Sequence, residues 1–61
     1  MKTLFIFRNN IIHTTETYKE KQEFGHDVDF GNTITINNHV FKVVSVITRE
    51  NQKQVLLRTV K

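Results

Sequence analysis

Apolar and polar residues alternate most regularly between Gly31 and Thr48, GNTITINNHVFKVVSVIT. Thr33-Ile34-Thr35-Ile36 changes side at every residue, Asn37-Asn38 tolerates positive φ, and His39 to Thr48 is an almost unbroken run of β-formers. The pattern predicts a hairpin with a two-residue loop that pairs Ile36 with His39, Thr35 with Val40 and Ile34 with Phe41. Ile34, Ile36, Phe41, Val43, Ser45 and Ile47 then share one face, and Val40, Lys42, Val44, Val46 and Thr48 share the other. Val43-Val44 and Val46-Ile47 are apolar on both sides of the pleat, which predicts a central strand whose second half is covered twice. Gly31 supplies the backbone freedom to turn into this hairpin.

The same device appears earlier. Thr3 to Arg8 reads as a strand, Asn9-Asn10 as a turn and Ile11 to about Glu16 as the return strand. This register sets Phe7 opposite Ile12 and Phe5 opposite Thr14 on one face, with Ile6 opposite His13 and Leu4 opposite Thr15 on the other. Thr17-Tyr18-Lys19-Glu20 fits a capping box, so Tyr18 to Glu23 is a helix of barely two turns or an excursion loop. Tyr18 and Phe24 would anchor it, leaving Lys19, Glu20, Lys21 and Glu23 in solvent. Val28 and Phe30 suggest a short strand into Gly31. After a polar turn at Arg49 to Gln52, Lys53 to Val60 is the last strand, with Val55 and Leu57 on the Val44/Val46 face and Leu56 and Val60 on the Phe41/Ile47 face. The expected core is Phe5, Phe7, Ile12, Ile34, Phe41, Val43, Val44, Val46, Ile47, Val55 and Leu57.

About five or six short antiparallel strands with tight turns and one excursion predict an all-β domain spanning residues 1–61. Its form is a small SH3-like barrel or a strongly bent antiparallel sheet, with one short helical turn. The alternative is an open antiparallel sheet carrying the Tyr18 to Glu23 helix on one face. Gly31 to Val46, a glycine followed by alternating apolar residues, a tight turn and a valine-rich strand, resembles a hairpin that recurs in SH3-like barrels. The resemblance covers about a quarter of the chain and implies no functional residue.

Length changes this picture by limiting the core, since a chain of 61 residues buries only about 60% of its unfolded surface. With no cysteine, there is neither a disulfide nor a thiolate metal site, and cysteine-nucleophile chemistry is excluded; a reducing cytoplasm is the expected setting. The apolar run ending at Arg8 is too short for a signal peptide or a membrane span, so no membrane association is expected. A net charge of +3 permits nucleic-acid contact, although nine basic residues interspersed with six acidic ones do not form a basic arm. The proline-free chain, rich in Asn, Ile and Lys, is similar in size and composition to small proteins encoded by phages and prophages.

Candidate chemistry is sparse. Ser45, the only serine, lies mid-strand, where a hydroxyl is packing filler rather than a nucleophile. A metal set would need His26, Asp27 and Asp29 joined by His13 or His39, but these lie on different elements without ligand spacing. Gly25 and Gly31 stand alone, so there is no phosphate loop. The expectation is a non-enzymatic interaction protein without cofactor or metal. It would bind a larger protein, or a second copy as a homodimer, through the apolar face or the free edge of the doubly apolar first strand, with Leu4, Ile6, Ile11 and His13 as interface residues. The alternative is a nucleic-acid-binding barrel using Arg8, Thr33, Thr35, Lys42, Arg49, Lys53 and Lys61, with Thr59 beside them.

Overall fold

A computed structural model describes residues 1–60 of the chain. Strands β1 (Lys2–Phe7) and β2 (Asn10–Glu16) form the first hairpin, and β3 (Thr33–Ile36), β4 (His39–Thr48) and β5 (Gln52–Thr59) form a meander. Between them a 3-10 turn (Thr17–Lys19) runs into helix α1 (Glu20–Phe24). The strands make one sheet in the order β2-β1-β5-β4-β3, curled into a half-barrel. Among the described residues, no helix is long and apolar enough to cross a membrane.

The β3–β4 hairpin has the predicted register, Ile36 opposite His39 through Ile34 opposite Phe41. Asn37 and Asn38 sit at φ 51° and 68°, the primed turn that matches strand twist. The first hairpin turns one residue earlier than expected. Arg8 and Asn9 hold the positive φ values, 52° and 66°, and Asn10 already belongs to β2, opposite Phe7. A bulge at Ile12 then shifts the ladder, so that Ile6 faces Ile11 while Phe5 faces His13.

The sheet is mixed rather than antiparallel: β1 runs parallel to β5, with Thr3 beside Lys53, Phe5 beside Val55 and Phe7 beside Leu57. Local turns fix neighbours only within each hairpin. The excursion between β2 and β3 leaves the chain free to lay β1 against β5 in the same direction.

A second bulge sits in β4, where Val43 faces Leu57 but Ser45 faces Leu56, leaving Val44 as the extra residue. It brings Val43 and Val46, three positions apart, onto the concave side, and turns Ser45 and Ile47 outward. The apolar doubling in β4 therefore encodes a bulge, and its second half is not covered twice. Ile47 is 37% exposed and Val44 lies outside the core cluster, both against expectation. The core on the concave face is Phe5, Val28, Ile34, Ile36, Phe41, Val43, Val55 and Leu57, with Phe7, Ile12, Phe24 and Val46 packed against it. Val28 reaches it from an irregular segment, not from a strand.

The excursion covers one end of this concave face. Tyr18 is 77% exposed and anchors nothing, whereas the Phe24 ring lies 5.3 Å from that of Phe5. The capping box does not form: the Thr17 hydroxyl bonds Thr3 Oγ1 at 2.8 Å, and Glu20, expected in solvent, is 5% exposed. Thr3 donates its own hydroxyl to Glu20 Oε2, so Thr17 must donate to Thr3. Lys53 Nζ donates to Glu20 Oε1 and to the Val28 carbonyl, each at 2.9 Å. Gly25, at φ 83°, ends the helix with its N–H on the Lys21 carbonyl.

Two outcomes check this description. Asn38→Gly is neutral or mildly stabilising in thermal melts, while Val at both Asn37 and Asn38 costs about 1 to 3 kcal/mol by forcing β-branched residues to positive φ. Lys53→Ala costs about 3 to 5 kcal/mol by stranding the buried Glu20 carboxylate, Glu20→Ala costs less because the half-buried Lys53 keeps the Val28 carbonyl, and the double change Glu20→Leu with Lys53→Met costs much less than the sum of the two single losses. Additive losses in a denaturant-melt double-mutant cycle would show that the two groups are not coupled.

Candidate functional site

The curled sheet has two unlike faces. The concave face carries the core and the helix. Because Thr3 and Phe5 are buried there, the alternation of β1 places Leu4 and Ile6 on the convex face. Ile6 lies between Ile11 on β2 and Leu56 on β5, and Leu4 lies between Thr14 and Gln54, whose other neighbour is Ile47. Ile11, Ile6 and Leu56 thus form an apolar band across three adjacent strands, flanked by Leu4 and Ile47. Ile11 is 58% exposed. Phe24 against Phe5 and Glu20 against Thr3 keep the excursion on the other side, so nothing among the described residues covers this band.

Three of the four sequence-derived interface residues, Leu4, Ile6 and Ile11, come together here. His13 does not. The Ile12 bulge turns it to the concave side, where its ring lies 5.5 Å from Phe5 and 6.1 Å from Phe24. Its Nε2 meets Glu23 Oε2 at 2.6 Å, and an ionised carboxylate there can only accept, so Nε2 carries the proton. Leu56 and Ile47, members of the band that sequence reasoning missed, are displaced from their expected surroundings by the β4 bulge.

The basic residues separate into different regions. Thr33 faces Lys42, Lys42 faces Arg58, and Thr35 lies one step along β3, all on the convex face beyond the apolar band. Arg58 was not among the expected residues. Neither Lys42 nor Arg58 has a carboxylate within ion-pair distance among the described residues, although they lie directly opposite each other. Lys53 leaves the set, because its ammonium is committed to Glu20 and Val28. Arg8 and Arg49 lie at opposite ends of the sheet, at the β1–β2 tip and in the β4–β5 turn. Thr59 faces Phe41 on the concave side, away from Lys42. Lys61 falls outside the described residues.

Charge is distributed unevenly. Strands β1, β3, β4 and β5 contain no acidic residue, and all six carboxylates belong to residues 16–29 or to Glu50 in the last turn. Candidate metal ligands stay apart: no three His, Cys, Asp or Glu side chains converge among the described residues. His26 Nδ1 donates to the Asp27 carbonyl, and Asp29 accepts from the Phe30 N–H. Ser45 is half-buried on the convex face beside Leu56. The chain matches no protein-family model, no curated protein and no solved structure.

Like charges opposed across two strands repel. Arg58→Glu places an opposite charge across from Lys42 and is expected to raise stability by a few tenths of a kcal/mol in urea melts. A loss of stability would mean that Arg58 makes a contribution other than charge.

Proposed function

We propose that this protein is a non-enzymatic interaction module that docks onto another protein through the convex apolar band of Leu4, Ile6, Ile11 and Leu56. The observation that carries the reading is that band itself, contiguous over three strands, with Ile11 exposed and Leu4, Ile6 and Leu56 half-buried, on a face that nothing packs against among the described residues. Contiguous exposed apolar surface is costly to keep in water and marks association sites. The one short helix reaches only one end of one face of the five-stranded sheet, and Phe24 and Glu20 commit it to the concave side.

The first occupant in this reading is a second copy of the chain. Two such domains packed band to band bury the same patch twice, the usual route by which a short chain without disulfides or metal gains stability. A larger protein with a matching apolar face is the further partner. The setting is the cytoplasm, in keeping with a cysteine-free chain, and its size suits a phage-type adaptor.

Lys42 and Arg58 support a second reading, nucleic-acid binding on the convex face of β3–β5 with Thr33 and Thr35. Two cations opposed without carboxylates attract a phosphate backbone, and such binding weakens steeply with salt. A pull-down with and without nuclease separates the readings, since protein partners survive the treatment and bridging by nucleic acid does not.

Light scattering over a dilution series tests the dimer. The parent is expected to fall from twice its 7.2 kDa mass toward that value on dilution, while Ile6→Lys stays at the monomer mass with an unchanged amide spectrum. A parent that remains at 7.2 kDa at high concentration would remove self-association.

A further inference from the structure

The half-barrel is closed at one end and open at the other. Both hairpin tips, Arg8-Asn9 and Asn37-Asn38, lie at the end of the sheet opposite the excursion, together with Thr59 at the end of β5. Between them is a cleft of about 380 Å³. Its floor is Phe7 and Phe41, whose rings are 5.0 Å apart, and its walls are Ile12 of edge strand β2 and Ile36 of edge strand β3. A cleft walled by the two edges of one sheet is the gap a further strand would fill.

We infer that this cleft receives an extended, acidic segment of a partner protein, which adds to the free edge of β3 and places one apolar side chain between Phe7, Phe41, Ile12 and Ile36. The surface is separate from the convex band. The two edges are not equivalent. The bulge at Ile12 interrupts the ladder of β2, whereas β3 is regular from Thr33 to Ile36. In a two-residue hairpin the Ile36 and Ile34 amides point into the β3–β4 ladder, so those of Thr33 and Thr35 point outward, ready to pair. A strand added there sends every second side chain to the concave side, where the cleft lies.

Charge selects the partner. The Arg8 guanidinium lies 5.1 Å from the ring of Phe7, which lines the cleft together with His39 and Thr59, and among the described residues no carboxylate lines it. Arg8 also occupies positive φ, where glycine or asparagine costs less, so the turn does not account for an arginine at this position. Apolar anchoring with glutamate or aspartate flanks fits this mouth better than basic flanks do.

The chain contains no tryptophan, so a tryptophan-bearing peptide reports binding by its own fluorescence. The probe is a short synthetic peptide with a central tryptophan in alternating threonine and valine, capped by glutamates; its control carries lysines instead. Binding of the glutamate peptide is expected to blue-shift the tryptophan, to move the Thr33, Thr35 and Arg8 amide signals, and to exceed that of the control by about tenfold or more at low salt. Thr59→Phe, which fills the cleft, and Arg8→Asp, which reverses its charge at a turn position aspartate tolerates, should each weaken it while leaving the melting temperature near that of the parent. Equal binding of both peptides, no binding of either, unchanged affinity in both variants, or signal changes confined to Leu4, Ile6 and Leu56 would overturn the assignment. So would displacement of the peptide from Arg8 by a single-stranded oligonucleotide, which would make the mouth a nucleic-acid site.

Discussion

The ion pair between Glu20 and Lys53 fastens the one seam of this sheet that no local turn can define. Thr3 on β1 and Lys53 on β5 are direct neighbours across the parallel junction, and the Glu20 carboxylate takes a hydrogen bond from each. The hairpin β1–β2 and the meander β3–β4–β5 are thus joined by a side chain from the segment that connects them in sequence. In a poorly solvated site a carboxylate with one partner missing is far less favourable than one with both, so the arrangement is close to all-or-none. Lys53 also holds the Val28 carbonyl, and Thr17 feeds a hydroxyl into Thr3. The same few atoms therefore place Val28 in the core and hold the helix so that Phe24 covers Phe5.

Much of this fold is legible in the sequence where local chemistry decides it. The Asn37-Asn38 turn and the register of β3 on β4 follow from a loop that tolerates positive φ between alternating runs. At Arg8-Asn9-Asn10 the same logic slips by one residue, because the side chain that takes the strained position is an arginine, which no turn preference would choose. The bulges at Ile12 and Val44 were visible only as apolar doubling, which reads equally well as a strand covered on both faces. That ambiguity moved His13 off the convex face and concealed Arg58 opposite Lys42. Glu20 lay beyond sequence reasoning for a different reason. Its pattern fits a surface capping box, and only the parallel approach of β5 to β1 supplies the half-buried cation that draws it inward.

Fixing the excursion at one end of the concave face leaves two surfaces that nothing covers among the described residues. The convex band is the apolar surface on which the proposed second copy would dock. The cleft between the edge strands is narrow and bordered by backbone donors, suited to an extended segment. Confinement of the acidic side chains to the end of β2, the excursion and the last turn keeps them away from the cleft and from most of the sheet. In the proposed reading, a five-stranded domain too small to bury both faces offers its surplus apolar surface for association, and its net charge of +3 favours an acidic partner.

The barrel is sealed where Glu20 meets Lys53 and open along β3. Amide hydrogen exchange on the dilute, unliganded protein tests it residue by residue. Strong protection is expected at Phe5, Val43 and Val55 and at the inward amides of Ile34 and Ile36, with Thr33 and Thr35 exchanging near the rate of an unstructured chain. Protection of Thr33 and Thr35 equal to that of Val43 and Val55 would mean that the β3 edge is already paired, and would contradict an open half-barrel.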